Sequence, residues 1–131
     1  MEIRRRKAIA RAHAIVEHSR TLSPTDFLEE RNQYKGHLKD FDFPGFYLIH
    51  NKTRDKYYVG RADHVPERVN INLQGRGNMD ISAHIRCGDD FEISLIPLES
   101  INQSDLARFE RTLIDAYNAY RHGYNINRGR G

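Results

Sequence analysis

The stretch that decides the fold is residues 45–68, GFYLIHNKTRDKYYVGRADHVPER. Aromatic and β-branched residues fill 45–51 and 56–60, as strands prefer, and the polar run Lys52-Thr53-Arg54-Asp55 divides them. The pattern predicts a hairpin with Gly45-Phe46-Tyr47 on one arm and Tyr58-Val59-Gly60 on the other, ten residues separating Tyr47 from Tyr58. Strand alternation sends Tyr57 and Tyr58 to opposite faces, which gives Tyr57 a structural role. A short helix over about 66–73, opened by Asp63 and ended by Gly75, then carries Arg68 eight positions after Gly60.

Upstream of the hairpin the chain reads as helical. Residues 2 to about 19 place Ile9, Ala12, Ile15 and Val16 in a narrow apolar stripe. A second helix starts at Ser23 as N-cap, with Pro24 in its first turn and Asp26 completing a capping box; Gly36 is its expected stop. Downstream, a helix over about 79–87 is capped by Asn78 or Asp80. Residues 91–95 alternate as a half-buried strand, and the last helix spans about 103–120 with Asn102 or Ser104 as cap. The expected fold is α/β: a small three-stranded, mainly antiparallel sheet flanked by helices. Residues 1–43 form an N-terminal helical extension and 44–131 the main domain.

A chain of 131 residues, 38% hydrophobic and 30% charged, suits one globular domain. No apolar run approaches the roughly 20 residues of a membrane span. The single Cys87 excludes an internal disulfide and suits a reducing, cytoplasmic compartment. The net charge of +3 permits nucleic-acid binding without requiring it. Its distribution is more telling, since Arg4, Arg5, Arg6, Lys7 and Arg11 crowd the first helix and Arg121, Arg128 and Arg130 the other end.

Several residues admit two readings. Glu110 lies inside the stripe formed by Leu106, Phe109, Leu113, Ile114 and Tyr117, either as a packed stem with its carboxylate in water or as a functional acid. Tyr47 and Tyr58, read from their strands alone, suit packing with a hydroxyl at the rim. Arg68 on its own reads as a solvated helix residue or a salt-bridge partner. Asn125, in Gly123-Tyr124-Asn125, suits a turn. His64 and His84 read as structural, His84 being the better candidate for an accessory role.

Taken together, the two tripeptides, Arg68, Glu110 and the terminal Gly-Tyr-Asn resemble the GIY-YIG nuclease family over about 45–127. Phe46 and Val59 replace the isoleucines of its name-giving tripeptides. The resemblance implies a metal-dependent DNA endonuclease leaving 5′-phosphate and 3′-hydroxyl ends. It implies Glu110 as ligand of one Mg²⁺ (or Mn²⁺), and Tyr47 or Tyr58 as the base that activates water. Arg68 then contacts the scissile phosphate, Asn125 completes the centre and Arg61 touches phosphate. Such chemistry needs a polarising cation, a base, and positive charge for the pentacovalent transition state.

Members that cut long specific sites usually carry a recognition domain after the catalytic one, whereas this sequence stops at Arg128-Gly129-Arg130-Gly131. The expectation is low specificity, a fragment of a longer protein, or recognition by an oligomer or by the basic helix bearing Arg4, Arg5, Arg6 and Lys7. Cutting both strands requires a homo-oligomer or two sequential nicks. The alternative is a catalytically inactive nucleic-acid-binding module of the same fold.

Overall fold

The computed structural model describes residues 2–33, 42–101 and 104–128. Its elements run α1 (Glu2–Glu17), β1 (Arg20–Leu22), α2 (Pro24–Gln33), β2 (Gly45–Asn51), β3 (Lys56–Ala62), α3 (Val65–Leu73), α4 (Met79–Arg86), β4 (Phe91–Pro97) and α5 (Leu106–Ala116). The predicted hairpin forms as β2 and β3, with Tyr47 opposite Gly60 and Ile49 opposite Tyr58. β4 pairs antiparallel along the other side of β2. The sheet has four strands in the order β1-β4-β2-β3, one more than the sequence led us to expect. The extra strand is three residues long and pairs only with β4, so no period-2 pattern could announce it.

Both faces of the sheet are covered, which gives three layers. Tyr47, Ile49, Ile93 and Leu95 point to one side and pack with Phe27 of α2, Val65 and Val69 of α3 and Ile81 of α4. Phe46, Leu48, Val59 and Ile96 point to the other and meet Ala12 of α1 and Phe109, Leu113 and Ile114 of α5. The Phe46 and Phe109 rings meet edge to face with centroids 5.1 Å apart. Because helices cover both sides, β4 is buried on both faces along much of its length rather than half-buried. Tyr57, on the α5 side, stacks on His50 with ring centroids 3.9 Å apart, which suits a structural role.

Helix ends follow capping chemistry, with some corrections. Ser23 Oγ accepts the Asp26 N–H at 3.1 Å, and Asn78 caps α4 through the Asp80 and Ile81 N–H groups. Gly36, the expected stop of α2, lies outside the described residues. Asp63 does not open α3: the N-cap is His64, without a side-chain cap bond, and Pro66 sits in the first turn. α5 is shorter than its hydrophobic stripe. Asp105, not Ser104, accepts the Arg108 N–H, and Asn118 leaves the helix in the left-handed region at φ 51°. No described helix is long and apolar enough to cross a membrane.

Candidate active site

β3 is an edge strand, and a cleft of about 750 Å³ opens along its outer side. Tyr47, Tyr58, Arg61, Arg68, Glu110 and Asn125 all line it. The hairpin contributes the tyrosines from the α3 side of the sheet and α5 contributes Glu110 from the opposite layer. The free edge is where the two layers meet. That explains why residues separated by 63 positions, Tyr47 to Glu110, converge.

The tyrosine pair is organised by cross-strand register. Tyr47 stands opposite Gly60, and a Cβ on Gly60 would fall inside the Tyr47 ring. The glycine of Tyr58-Val59-Gly60 is therefore a steric requirement of the first tyrosine. The rings of Tyr47 and Tyr58 lie with centroids 6.0 Å apart. Tyr47 is 1% exposed, and burial pushes its phenol far above the ordinary value near 10. The Tyr58 hydroxyl acts in the same direction, while Arg68 and the Asn72 hydrogen bond oppose it. Tyr47 is consequently neutral over the physiological range. Tyr58, half-buried, is the hydroxyl with more access to the cleft.

Asn72 is a residue the sequence reading missed. It is 2% exposed and its Nδ2 donates to the Tyr47 hydroxyl at 3.0 Å and to the Arg68 carbonyl at 3.1 Å. Its Oδ1 accepts the Asn78 N–H at 2.8 Å. One buried amide thus ties the tyrosine, the arginine-bearing turn of α3 and the cap of α4. The available signal was an asparagine on the inward face of an apolar helix, four residues after Arg68.

Arg68 projects from α3 and makes no ion pair among the described residues, so its guanidinium fork faces the cleft uncommitted. Asn125 is more constrained. Its Oδ1 accepts the Val59 N–H at 2.8 Å and its Nδ2 donates to the Val59 carbonyl at 2.9 Å. The Tyr124 N–H also reaches the Tyr57 carbonyl at 2.9 Å. Together they act as a substitute strand on the outward backbone groups of β3, which otherwise would be an unpaired edge.

Glu110 is partly buried at the cleft wall. Among the described residues no cluster of three His, Cys, Asp or Glu side chains forms a metal cage. Asp63 and Glu67 line the same cleft, and a site with few carboxylate ligands fits Mg²⁺, which keeps waters and accepts phosphate oxygens as its other ligands, rather than zinc. His64 also lines the cleft. Its Nδ1 lies 2.6 Å from Asp42 Oδ2, and that hydrogen bond and charge raise its pKa. His84 lies elsewhere, with Nδ1 2.6 Å from the Tyr124 hydroxyl. Of the N-terminal basic residues, Arg5 lies 3.8 Å from Asp115 on α5 and Arg6 3.7 Å from Glu2, while none lines the cleft.

One edge cleft of the antiparallel sheet thus gathers a phenol pair, a guanidinium with no ion pair among the described residues and a wall carboxylate. Residues 43–125 match the GIY-YIG catalytic domain, and the chain belongs to that family. No curated protein and no solved structure matches it.

Proposed function

We propose that the protein is a divalent-metal-dependent DNA endonuclease hydrolysing phosphodiester bonds. The observation that carries this reading is the convergence of Tyr47, Tyr58, Arg68 and Glu110 on one cleft from two layers of the fold. Glu110 would hold Mg²⁺ or Mn²⁺, which when bound supplies charge neutralisation at the phosphate. Arg68 binds the non-bridging phosphate oxygens through its planar fork. Tyr58 is the group that takes a proton from the attacking water. Tyr47, neutral and fixed by Asn72, donates to the Tyr58 oxygen and steadies it as charge develops there. Asn125 supports the centre by holding the edge of β3 at Val59. Arg61 at the cleft rim and the basic α1 face, with Arg4, Arg5, Arg6 and Lys7, add phosphate contacts, and residues 1–43 extend the domain formed by 44–131.

The test is incubation of the full chain with supercoiled plasmid, with and without Mg²⁺. Metal-dependent nicking by the wild type, absent in Glu110→Ala that still binds DNA, is the expected result. DNA binding with no cleavage at any metal concentration would favour the inactive binding module. Absence of both would sink the nucleic-acid reading.

A further inference from the structure

A second concavity of about 360 Å³ lies beside the cleft, lined by Arg5 of α1, Ile114 and Asp115 of α5, and Asn118, Tyr120, Arg121 and Arg128 of the C-terminal segment. Three guanidinium groups face one carboxylate. Asp115 lies 3.8 Å from Arg5 and 3.7 Å from Arg128, contacts too long for tight charged hydrogen bonds, and both arginines stay more than half exposed. Arg121 has no carboxylate partner among the described residues. Asp115 therefore gathers the arginines without neutralising them, and the pocket keeps a net positive charge.

Two separate routes give its distance from the candidate active site. Asn125, Ile126 and Asn127 line the cleft and Arg128 lines the second pocket, so three residues bridge them, at most ~11 Å of extended chain. On α5, Glu110 lines the cleft and Asp115 the pocket, a rise of about 7.5 Å along the helix with a turn of about 140° around it, so the two sites open on different sides of α5. Successive phosphates on one strand advance about 3.4 Å along the duplex axis, so the bridging chain spans about three nucleotide steps, and a strand reaching both sites must curve around α5. Ile126, in the cleft-lining segment that leads to Arg128, is 89% exposed.

We propose that Arg5, Arg121 and Arg128 form a second phosphate pocket that holds the backbone of the same DNA a few nucleotides from the scissile bond. This rests on the nuclease reading above and assigns the C-terminal segment a role in substrate placement. It also singles out Arg5 from the basic run as the member whose position pairs it with the C-terminal arginines. Asp115 sets the strength of the pocket, because a phosphate must compete with it for Arg5 and Arg128.

The experiment measures affinity for a labelled DNA duplex across a salt series, in full-length protein carrying Glu110→Ala to prevent cutting. Each lost phosphate contact lowers the slope of log affinity against log salt by about 0.9, so the added triple change Arg5→Gln, Arg121→Gln, Arg128→Gln should lower it by about 2.7. Between about 50 and 200 mM salt the parent then loses about 40-fold more affinity than the variant. Arg76→Gln with Arg86→Gln, exposed and outside both sites, removes two charges elsewhere and should leave the parental slope in place. Asp115→Asn should move the opposite way and tighten binding, which a purely structural ion pair would not do. Retained binding with the parental slope in the triple variant, or weaker binding by folded Asp115→Asn, overturns the second pocket alone. Absence of binding by the parent, together with absence of plasmid cleavage by the wild type, overturns the nuclease reading and this inference with it.

Discussion

At the scale of single residues, the site divides the labour between two phenols that sequence alone leaves equivalent. Tyr47 is sealed beneath Gly60 and its proton is held by burial, whereas Tyr58 reaches the cleft. Tyr58→Phe should therefore lower the cleavage rate by about 10²–10⁴-fold, the loss typical of a missing general base. Tyr47→Phe should lose less, because it removes a hydrogen bond to the base rather than the base itself. Asn72→Leu should resemble Tyr47→Phe in rate, and combining the two should add little beyond either. Equal losses in the Tyr47 and Tyr58 variants, measured in single-turnover cleavage, would argue against this division. Arg68→Lys should also be impaired, since an ammonium cannot reproduce the planar fork. The tyrosines, Arg68 and Glu110 were legible because their spacing follows a hairpin and two helices. Asn72 was not, because its role depends on which side chain crosses above it, and that is set by packing between β2 and α3.

Elements were legible where local chemistry fixed them. The hairpin, the Ser23 and Asn78 caps and the glycine after α3 follow from turn and cap preferences. β1 and the start of α5 did not, because non-local pairing sets one and a local choice between Ser104 and Asp105 sets the other, the expected Asn102 cap lying outside the described residues. Asp105→Ala should cost about 1 kcal/mol of stability in urea denaturation, as a lost N-cap does, while Ser104→Ala should cost little. Asn125 can be resolved the same way. Asn125→Ala strands the Val59 N–H and carbonyl, a loss of about 1–3 kcal/mol if its part is to seal the β3 edge. Loss of cleavage with unchanged stability would instead mean that the amide touches the reacting groups. α1 is bound into the fold too, since Ala12 is fully buried and Ile15 and Val16 pack on the α5 layer. Truncating the first 20 or so residues should unfold the protein, so its charges are better tested by substitution.

For the molecule as a whole, the phenols make a prediction about pH. Tyr47, Tyr57, Tyr117 and Tyr124 all have raised pKa values with burial as the leading cause, Tyr117 reaching about 12. The buried Tyr47 and Tyr124 lie on the α3 side of the sheet and the half-buried Tyr57 and Tyr117 on the α5 side, so both layers carry phenols whose ionisation burial opposes. In the unfolded chain each phenol ionises near 10. Below that pH both states hold the proton and the contribution to stability is complete. As pH rises past about 10, the unfolded chain releases protons that the folded one retains, and stability falls progressively until the folded phenols titrate as well. Urea midpoints should therefore hold steady around pH 8 to 9 and decline from about pH 10 upward. Tyr117→Phe, which keeps the ring against His13 and Tyr57 and removes the titrating group, should make that decline shallower. The share of the tyrosinate absorbance that belongs to these four of the seven tyrosines should rise in step with unfolding rather than ahead of it. A decline no different in Tyr117→Phe, or tyrosinate absorbance fully developed near pH 10 in the folded protein, would mean that the two helical layers leave these phenols in contact with water.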